Sequence, residues 1–256
     1  MALELVTLPA LSDNYCFLLH CAETGDTAVV DVPDAAPINA ALAERGWTLT
    51  HVLLTHHHYD HIDGLEALRP RWPDARVVGA AADAHRLPPL DIAVAEGDRV
   101  TVGRETAAVL EVPGHTVGHI AFHFPESGYA FTGDSLMALG CGRLFEGTPA
   151  QMFDSLSRLA ALPADTLICS GHEYTAANGA FAISVEPGNA ALVARNAETA
   201  RLRADKAFTV PSSLQLELDT NPFLRSTSPE IRASVGLPNG APVEVFTAVR
   251  AAKDRF

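Results

Sequence analysis

The sequence predicts an α/β fold: one mixed β-sheet, or two packed mixed sheets, with helices on the outside, followed by a helical C-terminal domain. Short apolar runs alternate with helical patterns through the first 170 residues, and strand patterns nearly vanish after Gly171. Because successive strands are joined both directly and through helices, the sheets are expected to be mixed. Hydrophobic residues make up 48% of the 256-residue chain, which is enough for a sizeable core. We therefore place a domain boundary near residue 171.

The individual elements follow from local patterns. Runs rich in β-branched and aromatic residues, bounded by turn residues, predict strands. These predicted strands are 3–8, 14–19, 27–32, 51–55, 76–79, 107–112, 120–124, 129–132 and 167–170. Apolar residues at helical spacing predict helices. These predicted helices are 37–45, 64–68, 149–162, 176–185, 189–206 and 242–253.

The charge distribution limits the possible partners. The net charge is −13, and it lies entirely in residues 1–170, which hold 9 basic and 22 acidic residues. Residues 171–256 hold 9 of each. No basic stripe is available to neutralise phosphates, so nucleic acid is disfavoured as a partner. Bound divalent cations would offset part of the acidic excess.

The cysteines and the N-terminus predict a cytoplasmic protein without a membrane segment. Cys16, Cys21, Cys141 and Cys169 form neither a C-x-x-C pair nor a disulfide framework, which favours a reduced compartment. The first residues lack a basic segment, so no signal peptide is expected. No apolar run is long enough to span a bilayer.

The run T-H-H-H-Y-D-H at 55–61 predicts a metal site. His56, His58, Asp60 and His61 have H-x-H-x-D-H spacing directly after a predicted buried strand. Imidazole and carboxylate groups suit zinc and iron, and this density of donors is hard to explain by packing. Residues two apart can converge on one ion while the next pair turns towards a second, so the spacing indicates two metals.

Three further donors occupy comparable positions. His115, Asp134 and His172 each follow a predicted strand, and each comes directly after a glycine. Glycine permits a tight turn, and in α/β proteins sites gather at such strand ends. A lone histidine of this kind is more often structural, but the recurring pattern favours a shared metal site. The other histidines are interpreted as structural, with His119 a possible support for a ligand.

The motifs T-H-H-H-Y-D-H, P-G-H-T, T-G-D and S-G-H-E-Y resemble those of the metallo-β-lactamase superfamily. The segments E-P-G-N at 186–189, V-P-S-S at 210–213, N-P-F-L-R at 221–225 and R-A-A-K-D at 250–254 more closely resemble glyoxalase II, the hydroxyacylglutathione hydrolases. The resemblance implies an αββα sandwich of two mixed sheets. Residues 1–171 would form the metal-binding catalytic domain and residues 172–256 a helical substrate-binding domain.

The resemblance also implies roles for individual residues. His56, His58 and His115 would hold one divalent metal, Asp60, His61 and His172 a second, and Asp134 would bridge them. Zinc is expected, although iron and manganese accept the same donors. The residues implied to contact glutathione are Arg143, Phe145, Tyr174, Arg250 and Lys253. Relatives often carry lysine in place of Arg143 and tyrosine in place of Phe145. The missing hydroxyl would cost about 0.5–1.5 kcal/mol of binding.

The activity implied is hydrolysis of S-2-hydroxyacylglutathione, such as S-D-lactoylglutathione, to glutathione and D-lactate, as in methylglyoxal detoxification. A hydroxide bridging the two metals would attack the thioester, with Asp60 and Asp134 orienting it. The protein is expected to be a monomer that binds a small molecule. One alternative is a glutathione persulfide dioxygenase with a single iron, although Asp60, His61 and His172 together favour a second metal. Another is a non-catalytic protein that binds thiol conjugates or metal.

Overall fold

A computed structural model describes residues 2–256 of the chain, which divide into two compact units. The first unit consists of the residues up to Glu111 together with Gly118–Gly133. The second consists of Val112–Val117 and Asp134–Phe256. These units follow packing, whereas the predicted boundary near residue 171 follows the change from strand-rich to helical sequence and stays a prediction.

The first sheet of the first unit is mixed, as the sequence predicts. Its strands, in spatial order, are β1 (Glu4–Ala10), β2 (Asn14–His20), β3 (Asp26–Val30), β4 (Thr48–Leu53), β5 (Arg76–Ala80) and β6 (Ile92–Val94). Strands β1 to β3 are antiparallel, and β3 to β6 are parallel. Because β3, β4 and β5 run in the same direction, their C-terminal ends lie at one edge of the sheet. That edge carries the first set of candidate ligands.

Helices connect the parallel strands. Helix α1 (Ala35–Arg45) joins β3 to β4, and the short helices α2 (Tyr59–Ile62) and α3 (Leu65–Leu68) join β4 to β5. Helix α1 begins after Asp34, whose carboxylate accepts from the Ala36 N–H, and ends at Gly46 with a left-handed φ of 66°. Its fully buried Ile38 and Leu42 join the core of this sheet. Burial of such a side chain contributes about 1.5–3 kcal/mol.

The first unit also contains four antiparallel strands of a second sheet. They are β7 (Arg99–Val102), β8 (Glu105–Glu111), β9 (Ile120–Phe124) and β10 (Tyr129–Gly133), in that order. The sequence predicted β8, β9 and β10 but missed β6 and β7. Both missed strands span only three or four residues, too few to display an apolar alternation.

The second unit is mainly helical. Its helices are α4 (Pro149–Ala160), α5 (Thr175–Val185), α6 (Ala190–Ala204), α7 (Leu214–Thr220), α8 (Pro229–Ser234) and α9 (Pro242–Arg255). Two antiparallel strand pairs accompany them, β11 (Leu136–Met137) with β12 (Gly140–Cys141), and β13 (Leu167–Ser170) with β14 (Ser212–Ser213). The sequence missed α7 and α8, because short helices between proline-rich turns show little periodicity. Among residues 2–256, no helix combines the length and apolarity needed to cross a membrane.

Candidate metal centre and substrate-binding residues

The first unit brings together the four donors of the H-x-H-x-D-H run. The run leaves the end of β4 and enters α2 at Tyr59. His56 and His61 are fully buried, and their ring centroids lie 4.2 Å apart. The Nε2 atom of His56 lies 3.1 Å from Nδ1 of His58, and Nε2 of His61 lies 3.9 Å from Oδ2 of Asp60. Ring nitrogens and a carboxylate oxygen at these spacings can share a metal ion.

Asp31 orients two of these histidines, a role that the sequence analysis missed. Its Oδ2 accepts from His61 Nδ1 at 2.8 Å and from the Thr55 hydroxyl at 2.8 Å. Thr55 Oγ1 in turn lies 3.1 Å from Nδ1 of His56, from which it can accept. In the neutral rings this leaves the Nε2 lone pairs of both histidines available for a metal. The available signal was an aspartate directly after β3, at the same sheet edge as the histidine run.

Asn14 holds Asp60 in place. Its side-chain amide donates to the Asp60 carbonyl oxygen at 3.0 Å and to Oδ2 at 3.1 Å. Asn14 is 3% exposed at the start of β2. The carboxylate of Asp60 therefore has a defined direction, with further acceptor sites left for a cation.

The second unit gathers the other three donors around Asp134. Oδ2 of Asp134 lies 3.4 Å from Nε2 of His115 and 3.3 Å from Nε2 of His172. All three side chains are buried. Nδ1 of His115 donates to the Arg143 carbonyl oxygen at 2.7 Å, which in a neutral ring leaves Nε2 as an acceptor. Nε2 of His115 and Oδ2 of Asp134 would then be two acceptors facing each other, and a cation held between them would remove the repulsion of their lone pairs.

Glycines shape the turns beside these predicted ligands. Gly114 and Gly133 have φ values of 149° and 47°, which L side chains rarely adopt. They directly precede His115 and Asp134, as the sequence predicted. A Cβ on Gly142 would lie 1.9 Å from the Asp134 carbonyl oxygen and 2.9 Å from Nδ1 of His115. Only glycine allows this close approach.

Each unit thus brings predicted ligands together: the first groups His56, His58, Asp60 and His61, and the second groups His115, Asp134 and His172. His57, interpreted from the sequence as structural, has its Nδ1 3.0 Å from Oδ2 of Asp83. His119, predicted as a possible support, stacks on His56 with ring centroids 4.6 Å apart. The chemistry of this donor set, imidazole nitrogens with carboxylate oxygens, fits divalent zinc, iron or manganese.

Two of the five predicted substrate contacts flank the predicted metal ligands of the second unit. Phe145 is 62% exposed, and its ring meets that of His115 edge-on at 5.3 Å. Tyr174 is 40% exposed and stacks on His172 at 4.7 Å. Exposed aromatic rings beside these buried histidines form an apolar margin on which an organic substrate can lie. Arg143, between Gly142 and Leu144, is largely exposed.

The two predicted substrate-binding cations of α9, Arg250 and Lys253, both make hydrogen bonds within the protein. Arg250 is 6% exposed, donating to the Cys141 carbonyl oxygen at 3.0 Å and to Asp254 Oδ1 at 2.9 Å. Lys253 donates to the Ala177 carbonyl oxygen at 3.1 Å. Burial, together with the nearby Arg250 charge, lowers the pKa of Lys253, against the opposing effect of Asp254. Burial raises the pKa of the Cys141 thiol to about 11, so it stays protonated near neutral pH.

A buried polar network joins the C-terminal signature segments to the β11–β12 hairpin. Glu217 accepts from Arg195, Ser212 and the Leu139 N–H. Asn221, the first residue of N-P-F-L-R, donates to the carbonyl oxygens of Met137 and Gly140, both at 3.0 Å. The hairpin lies in the chain between Asp134 and Arg143, so the network fixes the segment that carries both.

Comparison with known proteins identifies the family. Residues 12–172 match the model of the metallo-β-lactamase superfamily, and residues 173–256 match that of the hydroxyacylglutathione hydrolase C-terminus. A hydroxyacylglutathione hydrolase of Cereibacter sphaeroides is 63% identical over 256 residues, covering 100% of both chains.

Solved structures share the fold of this chain. The structure of ETHE1 from Myxococcus xanthus, 29% identical, covers 99% of this chain and 98% of its own with a TM-score of 0.66. That of TTHA1623 in a di-iron-bound form, 28% identical, covers 86% and 100% with a TM-score of 0.61. The predicted fold class, two sheets with flanking helices and a C-terminal helical region, is confirmed. The chain therefore belongs to the hydroxyacylglutathione hydrolase family of the metallo-β-lactamase superfamily.

Proposed function

We propose that the protein hydrolyses S-2-hydroxyacylglutathione thioesters, with S-D-lactoylglutathione as substrate and glutathione and D-lactate as products. The observation that carries the proposal is a complete set of metal donors, four grouped in the first unit and three in the second. Full-length relatives named hydroxyacylglutathione hydrolase, 60–63% identical, support the same activity. A donor set of this completeness is unusual in a protein that merely binds ligands.

We further propose that the site holds two divalent ions, most suitably zinc. His56, His58 and His115 would hold one, Asp60, His61 and His172 the other, and Asp134 would bridge them. The orientation of His56, His61 and His115, each with Nδ1 directed at an oxygen, supports this use of their Nε2 atoms. The di-iron form of the TTHA1623 structure supports a pair of ions.

When bound, divalent ions supply a water acidified towards a pKa of about 7 and polarise a carbonyl oxygen. The carboxylates of Asp60 and Asp134 would hold such a water by accepting its hydrogen bonds and would orient it towards the thioester carbon. Asn14 and the buried turns around Asp134 keep both carboxylates fixed. The thiol of glutathione has a pKa of about 8.5 and leaves as a thiolate without a dedicated acid.

Recognition of glutathione is assigned to Arg143, Phe145, Tyr174, Arg250 and Lys253. The guanidinium of Arg143 is exposed and can pair with a glutathione carboxylate as a planar fork. Phe145 and Tyr174 provide ring faces next to His115 and His172. Arg250 and Lys253 add positive charge on α9. A direct contact from Arg250 requires exchanging its bond with Asp254.

The dioxygenase alternative is not favoured, because the curated full-length relatives are named hydroxyacylglutathione hydrolase. We propose that the enzyme acts as a monomer in the reducing cytoplasm. The four buried free cysteines support the reducing compartment. The deciding experiment is hydrolysis of S-D-lactoylglutathione by the purified protein under argon and in air. Equal rates in both support the hydrolase. Failure to cleave the thioester, or consumption of oxygen with glutathione persulfide, contradicts it.

A further inference from the structure

We propose that Asp83 is a positioning residue that acts through His57. It positions the loop between β4 and α2, residues 54–58, which carries the predicted ligands His56 and His58 and is called the ligand loop below. The inference rests on the proposed metal site, because its effect is on the two ligands that flank His57. Neither residue is among the seven predicted ligands. His57 occupies the middle of the T-H-H-H-Y-D-H run, the one histidine of that motif for which the proposed function has no use.

Asp83 lies at the same sheet edge as the ligand loop. It ends the single turn Ala81–Asp83 directly after β5, and β5 pairs in parallel with β4, from which the loop departs. The side chain is 1% exposed. A carboxylate buried this deeply is tolerated only when it is paired and hydrogen-bonded. The hydrogen-bond partners of the Asp83 carboxylate therefore show which parts of the structure it positions.

The carboxylate of Asp83 has a charged partner on one oxygen and the ligand loop on the other. Oδ1 accepts from Arg86 Nε at 3.2 Å and Nη2 at 2.5 Å. Oδ2 lies 3.0 Å from Nδ1 of His57, and because an ionised carboxylate can only accept, His57 donates. Arg86 thus orients the carboxylate, and the carboxylate orients His57.

Gly118 fixes the position of this group from a third direction. A Cβ on Gly118 would lie 2.2 Å from Cγ of Asp83 and 2.3 Å from its Oδ1. The carboxylate consequently fills space that exists only because residue 118 has no side chain. The next residue, His119, stacks on His56 at 4.6 Å between centroids. The adjacent residues Gly118 and His119 therefore link the packing around Asp83 to the packing around His56.

The ring of His57 transmits its position to the neighbouring predicted ligand. It meets the ring of His58 edge-on, with ring centroids 5.0 Å apart. Nδ1 of His58 in turn lies 3.1 Å from Nε2 of His56. Holding His57 on Asp83 therefore restrains His58 through the ring contact, and His56 through His58. Without the His57–Asp83 bond, the loop loses a restraint midway between two predicted ligands.

The test uses three variants of the full chain and one control. Asp83→Asn removes the charge, and His57→Leu removes the donor. His57→Asn restores a donor near the position of Nδ1. Glu105→Gln is the control, because Glu105 is also buried in the first unit but bonds Leu3 and Ser127, away from the loop. Zinc affinity is measured by competition with a chromophoric chelator, and the cobalt-substituted proteins are compared by their visible spectra.

We expect Asp83→Asn and His57→Leu each to lower zinc affinity about 10- to 100-fold, the range for partners of metal ligands. The cobalt spectra of both should change, and the double variant should bind no more weakly than the weaker single variant. His57→Asn should retain most of the affinity. Glu105→Gln should lower Tm while leaving zinc affinity and the cobalt spectrum unchanged.

Three results would overturn the inference, and they are distinguishable. If the wild-type protein binds two metals and Asp83→Asn binds them equally well with the same spectrum, the positioning role is wrong and the proposed function stands. If the wild-type protein binds no metal, both fall together. An equal loss of affinity in Glu105→Gln would also overturn it, because the effect would then follow from lost stability alone.

Discussion

Oδ2 of Asp31 lies 2.8 Å from Nδ1 of His61, and the same oxygen accepts from Thr55 at 2.8 Å. One buried carboxylate therefore controls a predicted ligand directly and a second, His56, through the threonine hydroxyl. The arrangement makes Asp31 the organising residue of the first four donors, although it is not expected to touch a metal.

Replacing Asp31 by asparagine should weaken the site without removing any ligand. The carboxylate accepts at both oxygens, from the Thr55 N–H at Oδ1 and from His61 and the Thr55 hydroxyl at Oδ2. An amide has only one acceptor oxygen, so its NH2 group would face one of these donors and the histidine rings lose their preferred direction. We expect about a 10- to 100-fold loss of metal affinity or activity. Zinc titration against a chelator measures the first and steady-state turnover the second. Unchanged values for both would show that the rings are held by packing alone.

Alanine substitutions of Arg143 and Arg250 should show which of the two side chains contacts substrate only and which also stabilises the fold. Arg143→Ala should raise KM with little change in kcat or Tm, because the side chain is exposed and remote from the reacting bond. Arg250→Ala should raise KM and also lower Tm, because it breaks buried bonds to Cys141 and Asp254.

The control for these variants is Arg255→Ala, which removes an exposed cation from the same helix as Arg250. It should leave KM and Tm unchanged. A similar rise in KM for all three variants would indicate a general effect of charge. Equal losses in kcat and kcat/KM for Arg143→Ala would be inconsistent with its assigned role.

Phe145→Tyr should strengthen substrate binding. The exposed ring beside His115 can accommodate a hydroxyl, which would add one hydrogen bond to glutathione. Such a bond is worth about 0.5–1.5 kcal/mol, which corresponds to about a two- to tenfold decrease in KM. Steady-state kinetics with S-D-lactoylglutathione measures it, with Phe208→Tyr, another exposed phenylalanine, as control. No decrease in KM would indicate that the substrate does not reach this ring edge.

Neutralising Glu217 should destabilise the second unit. Arg195 is 7% exposed and pairs with Glu217, so Glu217→Gln leaves a buried cation without its partner. Breaking such a pair costs about 3–5 kcal/mol. The free energy of unfolding in urea measures the loss. Glu198→Gln, which breaks an exposed pair with Arg201, is the control and should have little effect. Equal effects of the two variants would contradict a special role for the network.

The stability contributed by Glu186 should disappear in acid. Burial alone would raise its pKa, but hydrogen bonds from Arg225, Asn189 and Ser228 outweigh burial and lower it. A lowered pKa in the folded state means that the contribution is complete above the unfolded value, about 4.3, and is lost as pH falls through the folded value. The difference in unfolding free energy between wild type and Glu186→Gln should therefore stay constant from about pH 7 down to about pH 4.3 and shrink as the pH falls further. A difference independent of pH would contradict the ionic role.

The sequence predicted the elements and ligands whose patterns are local. The H-x-H-x-D-H run and the glycines before His115 and Asp134 carry their own signal, since metal-ligand spacing and tight turns depend on neighbouring residues. Asp31 and Asp83 were missed, because a single aspartate after a strand usually caps a turn, and its partners lie far away in the chain. The burial of Arg250 could not be predicted from the sequence either, because its hydrogen-bond partner, the carbonyl oxygen of Cys141, lies more than a hundred residues earlier in the chain.

The central claim is that Asp134 belongs to a metal centre that cleaves a thioester. The most direct test is to count metal ions per chain in wild type and Asp134→Ala and to measure hydrolysis of S-D-lactoylglutathione by both. The wild-type protein should hold two ions and turn over, whereas Asp134→Ala should hold fewer and show no turnover. A variant with wild-type metal content and wild-type rates would contradict the claim.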